Sequence, residues 1–444
     1  MAGVPVAVPA PRAPWTRLPA APVPRRRSRL LAAAVAVLAI AGTALAMRGF
    51  TGGSDVPPVA GACGPSWSTA WMASTLPVAA PEGLAGGTLR MRMTPQVTGS
   101  QVRLRISNAD GTGPLRIGAV TVGRAGPGAV VLPGAAPVGF GGRPDVTVPV
   151  GAVVESDAAP LVAEAGVPLA VSVAVTAAPP VVSGHPVALE PAWLARGDVA
   201  AEPGAAGFAP AAASWLLTTG VDVLAPRPVA AVVAVGDSIT DGVGTAPGTD
   251  ARWTDALAAR LSGAGGEAQM AVLNAGIARN ELLATTPAGG ATPLARFDRD
   301  VAAAAGASDV VLHAGTNDVT AGASADAVVA GLAAYADRAR AAGKRVVLTT
   351  VTPSTHGPAA VRDAVNAWVR AHGREHADAV VDFAAAVADP GDPHRLAPAF
   401  DAGDGLHLTA AGYRALAAAL DLRALSGSPC LAGGGPSRVV LSGR

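Results

Sequence analysis

A hydroxyl that attacks a carbonyl needs a base to take its proton, an acid to orient that base, and donors for the oxygen that becomes negative. The chain offers a serine for the first of these parts in Gly236-Asp237-Ser238-Ile239-Thr240-Asp241-Gly242, directly after the apolar run Ala231-Val232-Val233-Ala234-Val235. Turns are rich in Gly, Asp and Ser, so this stretch alone reads as well as an ordinary turn. Of the histidines, only His407 has an aspartate three positions earlier, in Asp404-Gly405-Leu406-His407. At that spacing the two side chains share one face of a tight turn. Asp404 could then accept from Nδ1–H of His407 and leave Nε2 facing Ser238. The competing reading makes Asp404 a cap ahead of a helix that starts at Thr409. Two further strand ends carry donors: Val272-Leu273-Asn274-Ala275-Gly276-Ile277, where Gly276 exposes a bare N–H, and Leu312-His313-Ala314-Gly315-Thr316-Asn317-Asp318, where Asn317 brings an amide.

Taken in order, the blocks Gly236-Asp237-Ser238-Ile239, Gly276, Gly315-Thr316-Asn317-Asp318 and Asp404-Gly405-Leu406-His407 resemble those of the SGNH hydrolases, the GDSL-type esterases and lipases. The resemblance covers roughly residues 228–425. It implies Ser238 as nucleophile, His407 as base and then acid, and Asp404 as orienter. It also implies an oxyanion hole made by Gly276, Asn317 and the Ser238 N–H, and chemistry with no cofactor and no metal. The β-rich stretch ahead of it, with Leu104-Arg105-Ile106-Ser107-Asn108 and Gly-Gly-Arg-Pro at 141–144, looks like the N-terminal domain of some bacterial members. One departure stands out. Members often have a second glycine before the asparagine of the Gly276 block, and here Ala278-Arg279 precede Asn280.

Other chemistries fit less well. His372-Gly373-Arg374-Glu375-His376 has the form of an inverted zinc-protease motif, but no glutamate follows Glu375 and Gly373 is expected to interrupt the helix. Gly242-Val243-Gly244 is followed by no Gly-Lys-Ser/Thr, which argues against a phosphate loop. Ser238 is not within Gly-x-Ser-x-Gly, which argues against an α/β-hydrolase elbow.

These residues must be positioned by elements legible as alternating strands and helices. Strands are expected at 229–236, 269–274, 308–314, 344–351 and 379–383, and helices at 252–262, 293–304, 325–342, 359–372 and 409–422. Ser324 and Thr409 stand at N-caps, and Gly343 past a helix C-terminus. The pattern predicts a three-layer α/β/α sandwich around a five-stranded parallel sheet, flavodoxin-like as in the SGNH fold. From residue 63 to 227 the period is two instead: Thr88–Met93, Gln101–Ser107, Leu115–Val122, Val146–Val150 and Leu169–Val175 read as strands of an antiparallel β-sandwich. Arginines in these runs read as a solvated face, and Trp67, Trp71, Trp193 and Trp215 as core or interface.

The remaining segments concern location. Residues 1–29 are Pro/Ala-rich with Arg12, Arg17, Arg25, Arg26, Arg27 and Arg29, and read as a disordered basic tail. Residues 30–47 carry no charge and have the length of a single membrane-spanning anchor; Ala44-Leu45-Ala46 would equally serve as a signal-cleavage site. The arginine bias places the N-terminus inside, the remainder outside. A linker (48–62), the hydrolase region (228–425) and a Gly/Ser-rich tail (426–444) complete the domain reading. Cys63 and Cys430, the chain's cysteines, bracket the exported part and are expected to form a disulfide, the alternative being two unrelated thiols. Net charge is +1 over 444 residues, which gives no case for a nucleic-acid partner. The expected function is an exported serine ester hydrolase acting on a small-molecule or glycan ester. The alternatives are an acyltransferase on envelope glycans and an envelope-binding protein with a decayed site. Membrane contact would come through the 30–47 helix.

Overall fold

The computed structural model describes residues 63–211 and 213–432. The basic tail, the 30–47 apolar segment, the linker up to residue 62 and the chain end from residue 433 lie outside the described residues. Among the described residues no helix is long and apolar enough to cross a membrane.

Five strands, β1 (Ala231–Gly236), β2 (Ala271–Gly276), β3 (Ala307–His313), β4 (Arg345–Thr349) and β5 (Ala379–Val381), form a parallel sheet in the order β2-β1-β3-β4-β5. Their near-continuous Val/Leu/Ala content matches a sheet covered on both faces. On one face Trp253, Leu257, Leu261, Phe383, Tyr413 and Leu416 pack together. On the other, Phe297, Leu332, Tyr335, Val365 and Val369 do. The chain leaves β1 for β2 on one side and reaches β3 on the other. That reversal opens a crevice at the carboxyl end of β1, where ligands collect in open sheets, and Gly-Asp-Ser begins there. The expected caps are present: Ser324 Oγ accepts from Ala327 N–H at 3.3 Å and Thr409 Oγ1 from Gly412 N–H at 3.3 Å.

Two helices differ from expectation. Residues 293–304 form turns and one π-helical turn, Asp298–Ala302, instead of a regular helix. The segment is fastened by polar anchors: Arg296 pairs with the buried Asp300, Ser74 donates to Asp300 at 2.7 Å, and Arg299 reaches Asp110 and the Thr75 carbonyl. Gly373 does not interrupt its helix, which runs Ala359–His376. A Cβ at Gly373 would lie 2.9 Å from Val380 Cγ2, so the missing side chain serves packing against β5.

The β-rich half is built of antiparallel sheets. The expected strands occur as Gly87–Met93, Val102–Ser107, Leu115–Arg124, Val146–Val148 and Leu169–Ala177. Ser66–Met72 and Thr218–Ala225, not foreseen, pair with each other, and the latter also pairs with Val102–Ser107. Trp71, Trp193 and Trp215 are buried as expected. The arginine reading needs correction, because Arg90 and Arg105 are buried, not solvated. Arg90 donates to the carbonyls of Ala129, Gly204 and Glu202 and to Ser172 Oγ, so its charge is enclosed by acceptors that offset its desolvation.

The two halves share one continuous apolar cluster, which runs from Leu104 and Trp71 to Leu273 and Phe297. The open edge of β2 is covered as well. The Gln96 amide mimics a strand, donating to Val272 C=O at 2.9 Å and accepting from Val272 N–H at 2.7 Å. Covering an edge this way removes a site for strand addition.

Cys63 and Cys430 form a disulfide across a sequence separation of 367 residues, with Cα atoms 5.3 Å apart. Its expected contribution is about 2–4 kcal/mol, below the ~6 kcal/mol that the chain-entropy relation gives for so long a loop. A Cys63→Ser/Cys430→Ser double variant should lower the denaturation midpoint accordingly and leave ester turnover at 25 °C intact. Equilibrium unfolding with and without reductant checks this; identical curves would make the bond energetically idle.

Candidate active site

Ser238 opens a single helical turn, α1 (Ser238–Asp241), at the carboxyl end of β1. Asp237 caps it, with Oδ1 accepting from Ile239 N–H at 3.0 Å. Burial pushes the Asp237 carboxyl up to about 7, against the pull of that N–H. Ser238 is only 7 % exposed, yet its Oγ lies 2.9 Å from His407 Nε2. His407 Nδ1 lies 2.6 Å from Asp404 Oδ2. A carboxylate only accepts, so Nδ1 carries the proton and Nε2 presents its lone pair to the serine hydroxyl.

The Asp404–His407 loop is folded by its own backbone. Asp404 Oδ1 accepts from the N–H groups of Leu406 and His407 at 3.0 and 2.8 Å, and Asp401 Oδ1 accepts from Gly403 and Gly405. Gly405 has φ +68° and a Cβ there would lie 2.3 Å from Thr355 Oγ1, so no larger residue fits the turn. Burial alone would raise the Asp404 pKa. The two N–H groups and the His407 ring outweigh it and hold the carboxyl below its ordinary value. Asp404 remains half-exposed, and its anionic form is set by hydrogen bonding.

The second oxyanion candidate is placed differently from expectation. The Gly276 N–H already donates to Asn274 Oδ1 at 2.8 Å. A Cβ on Gly276 would lie 2.4 Å from Asp241 N, so the glycine lets β2 lie against the α1 backbone. The next turn, Ile277 to Asn280, is closed by Asn280 N–H to Ile277 C=O at 3.0 Å. Its third residue, Arg279, has φ +65°, a conformation where glycine or asparagine is the low-cost choice. Among the described residues the Arg279 N–H has no protein acceptor.

That turn is strapped to both neighbours. Ala278 N–H donates to Asp241 Oδ2 at 2.8 Å, which ties it to the nucleophile's helical turn. Asn317 Nδ2 donates to Asn280 C=O at 2.9 Å, which leaves its second N–H unspent on this bond. Asn280 is itself fixed by donation to Gly289 and Ala291 carbonyls and by Arg296 donating to its Oδ1. Asp318 accepts from Leu282 and Leu283 N–H groups just beyond. Sequence reasoning missed Asp241, Asn280 and Arg296 as parts of this scaffold, and also His185, whose Nε2 lies 2.9 Å from Asp241 Oδ1. Asp241 and Asn280 sit inside the singled-out blocks and were open to notice. Arg296 and His185 carry no local signal.

His372 and His376 do not converge: their Nδ1 atoms face Glu375 and Asp337 separately. No group of three or more His, Cys, Asp or Glu among the described residues is arranged to hold a metal ion.

A serine, histidine and aspartate in hydrogen-bonded series at a sheet's switch point, with backbone and amide donors beside them, is the constellation of an acyl-transferring hydrolase. Residues 234–415 match the model of the GDSL-like Lipase/Acylhydrolase family. The match is to that stretch, and the enzyme class it supports is a carboxylic ester hydrolase. No curated protein matches it significantly. Similar solved structures include a GDSL-like lipase from Bacteroides thetaiotaomicron VPI-5482, 24% identical over 43% of this chain and 84% of its own, TM-score 0.33. An acetyl xylan esterase from Geobacillus stearothermophilus is 23% identical over 44% of this chain and 96% of its own, TM-score 0.34. The esterase EstA from a Pseudoalteromonas species is 15% identical over 42% and 92%, TM-score 0.34.

Proposed function

We propose that the protein is an exported serine esterase in which Ser238, His407 and Asp404 form the catalytic triad. The observation that carries this reading is the unbroken series in which Ser238 Oγ lies 2.9 Å from His407 Nε2 and His407 Nδ1 lies 2.6 Å from Asp404 Oδ2. Ser238 Oγ attacks the ester carbonyl as its proton passes to His407 Nε2, and the Asp404 carboxylate stabilises the imidazolium. Collapse of the tetrahedral intermediate expels the alcohol, which takes that proton. Water then attacks the acyl-enzyme with His407 as base, releasing the acid and restoring the serine.

The oxyanion donors in this reading are the N–H groups of Ser238 and Arg279 and the uncommitted N–H of Asn317. Arg279 takes the place first given to Gly276 because its N–H is open and its turn is held between Asp241 and Asn317. A donor aimed at a developing charge acts on the transition state more than on bound substrate. Asn317→Ala should therefore lower kcat by roughly 10²–10³ with KM little changed. Steady-state kinetics on p-nitrophenyl acetate, with a melting curve, tests this. Full kcat with a lowered melting point would leave Asn317 a turn residue only.

Location outside the cytoplasm is supported by the Cys63–Cys430 disulfide and by the arginine-flanked apolar segment at 30–47. We also take residues 63–227 and 228–425 as two domains of one unit, clamped at their far ends by that bond. The substrate class is a small-molecule or glycan ester, and an acyl-length series of chromogenic esters would define it.

A further inference from the structure

An ionisable side chain of the β-rich half, His185, reaches the carboxyl end of the sheet at Asp241. His185 closes the strand Val181–His185 and is 3 % exposed. Its Nδ1 lies 2.8 Å from Ser74 C=O; its Nε2 lies 2.9 Å from Asp241 Oδ1 and 3.2 Å from Val187 C=O. All three partners are acceptors. A neutral ring would aim a lone pair at one of them in a buried site, whereas an imidazolium donates from both nitrogens.

The charged groups around this ring are few. Asp241 faces it from α1. Arg252 donates from Nε to Asp241 C=O at 2.8 Å and from Nη2 to Ala188 C=O at 2.6 Å. Glu190, Asp250 and Asp255 line the small cavity, about 60 Å³, that His185 and Asp241 share with Trp215. Burial favours the neutral ring. The charge and hydrogen bond of Asp241 and the Ser74 carbonyl outweigh it and Arg252, leaving the His185 pKa above its ordinary value.

Asp241 is where the effect would be transmitted. One carboxylate oxygen takes His185; the other takes Ala278 N–H, one residue before Arg279. Asp241 is also the last residue of the turn that Ser238 begins. Its carboxylate thus joins the nucleophile's turn, the oxyanion turn and the β-rich half at one point. We propose that His185, held as an imidazolium, is a positioning residue for the esterase site. It fixes the Asp241 carboxylate, and through it the Ser238 turn and the turn that presents the Arg279 N–H. This rests on Ser238 being the nucleophile, and it gives the β-rich half a part in catalysis.

The test uses the full chain as wild type and as His185→Gln. Two measurements are made well below the melting point: hydrogen–deuterium exchange of the peptide spanning 276–283, and the rate at which a p-nitrophenyl alkylphosphonate labels Ser238. The inference predicts at least tenfold faster exchange in that peptide, unchanged exchange in β3, and labelling slowed about tenfold. Wild-type exchange and labelling with only a lowered melting point would overturn it. Exchange is read without any turnover, so failure to label Ser238 in both proteins would refute the nucleophile while exchange still decides the role of His185. If the variant does not fold, ring ¹⁵N shifts of wild-type His185 decide. A doubly protonated ring at pH 7.5 supports the inference, and a neutral ring overturns it.

Discussion

Ser238→Ala is expected to lower kcat by roughly 10⁴–10⁶, to the residue of activity that binding and oxyanion donors supply alone. The substitution deletes one oxygen and its hydrogen bond to His407 Nε2. The fold should lose no more than about 1 kcal/mol, the usual worth of such a bond. Asp237 still caps α1 through Ile239 N–H, and Asn274 still holds the Thr240 carbonyl from β2 at 2.7 Å. Loss of turnover with a near-unchanged melting curve therefore isolates the hydroxyl's chemistry. Kinetics on p-nitrophenyl acetate beside differential scanning calorimetry makes the measurement, and a variant within tenfold of wild type would remove Ser238 from the mechanism.

Asp404→Asn is expected to cost roughly 10⁴ in kcat. The amide oxygen can keep both loop contacts, from Leu406 and His407 N–H, so the turn survives. The amide nitrogen, however, replaces the acceptor that His407 Nδ1 now faces. An NH₂ there donates to Nδ1 and drives the ring proton to Nε2, where it meets Ser238 instead of a lone pair. The base is present in the wrong tautomer. The same variant separates the two readings of Asp404. A cap or turn residue would be replaced by asparagine at little cost, so activity within tenfold of wild type would return Asp404 to the scaffold.

The proposed catalytic trio was legible because its parts are local. A strand-length apolar run before Gly-Asp-Ser puts Ser238 at a strand end, and the i, i+3 spacing lets Asp404 and His407 share a face before any tertiary contact is known. The parallel sheet was legible for a similar reason, since buried strands and capped helices alternate plainly from 228 onward. The oxyanion assignment was harder. Gly276 offered the right atom, but whether its N–H was open depended on Asn274 two residues back and on how close α1 approaches. Arg279 gave no signal, because a charged residue does not advertise positive φ. Arg90 and Arg105 misled in the same way: alternation in an antiparallel strand marks two faces without saying that both are covered. His185 meets Asp241 only once the two halves pack, and Arg296 meets Asn280 only once the irregular segment between them has folded.

The Ser238 hydroxyl is expected to be the atom that takes the acyl group. This is tested most directly by treating the protein with a p-nitrophenyl alkylphosphonate and locating the adduct by peptide mass spectrometry. One phosphonyl group per chain is expected on Ser238, formed as turnover is lost and absent from Ser238→Ala. Inactivation with the adduct on any other residue, or full labelling of Ser238 with turnover intact, would contradict it.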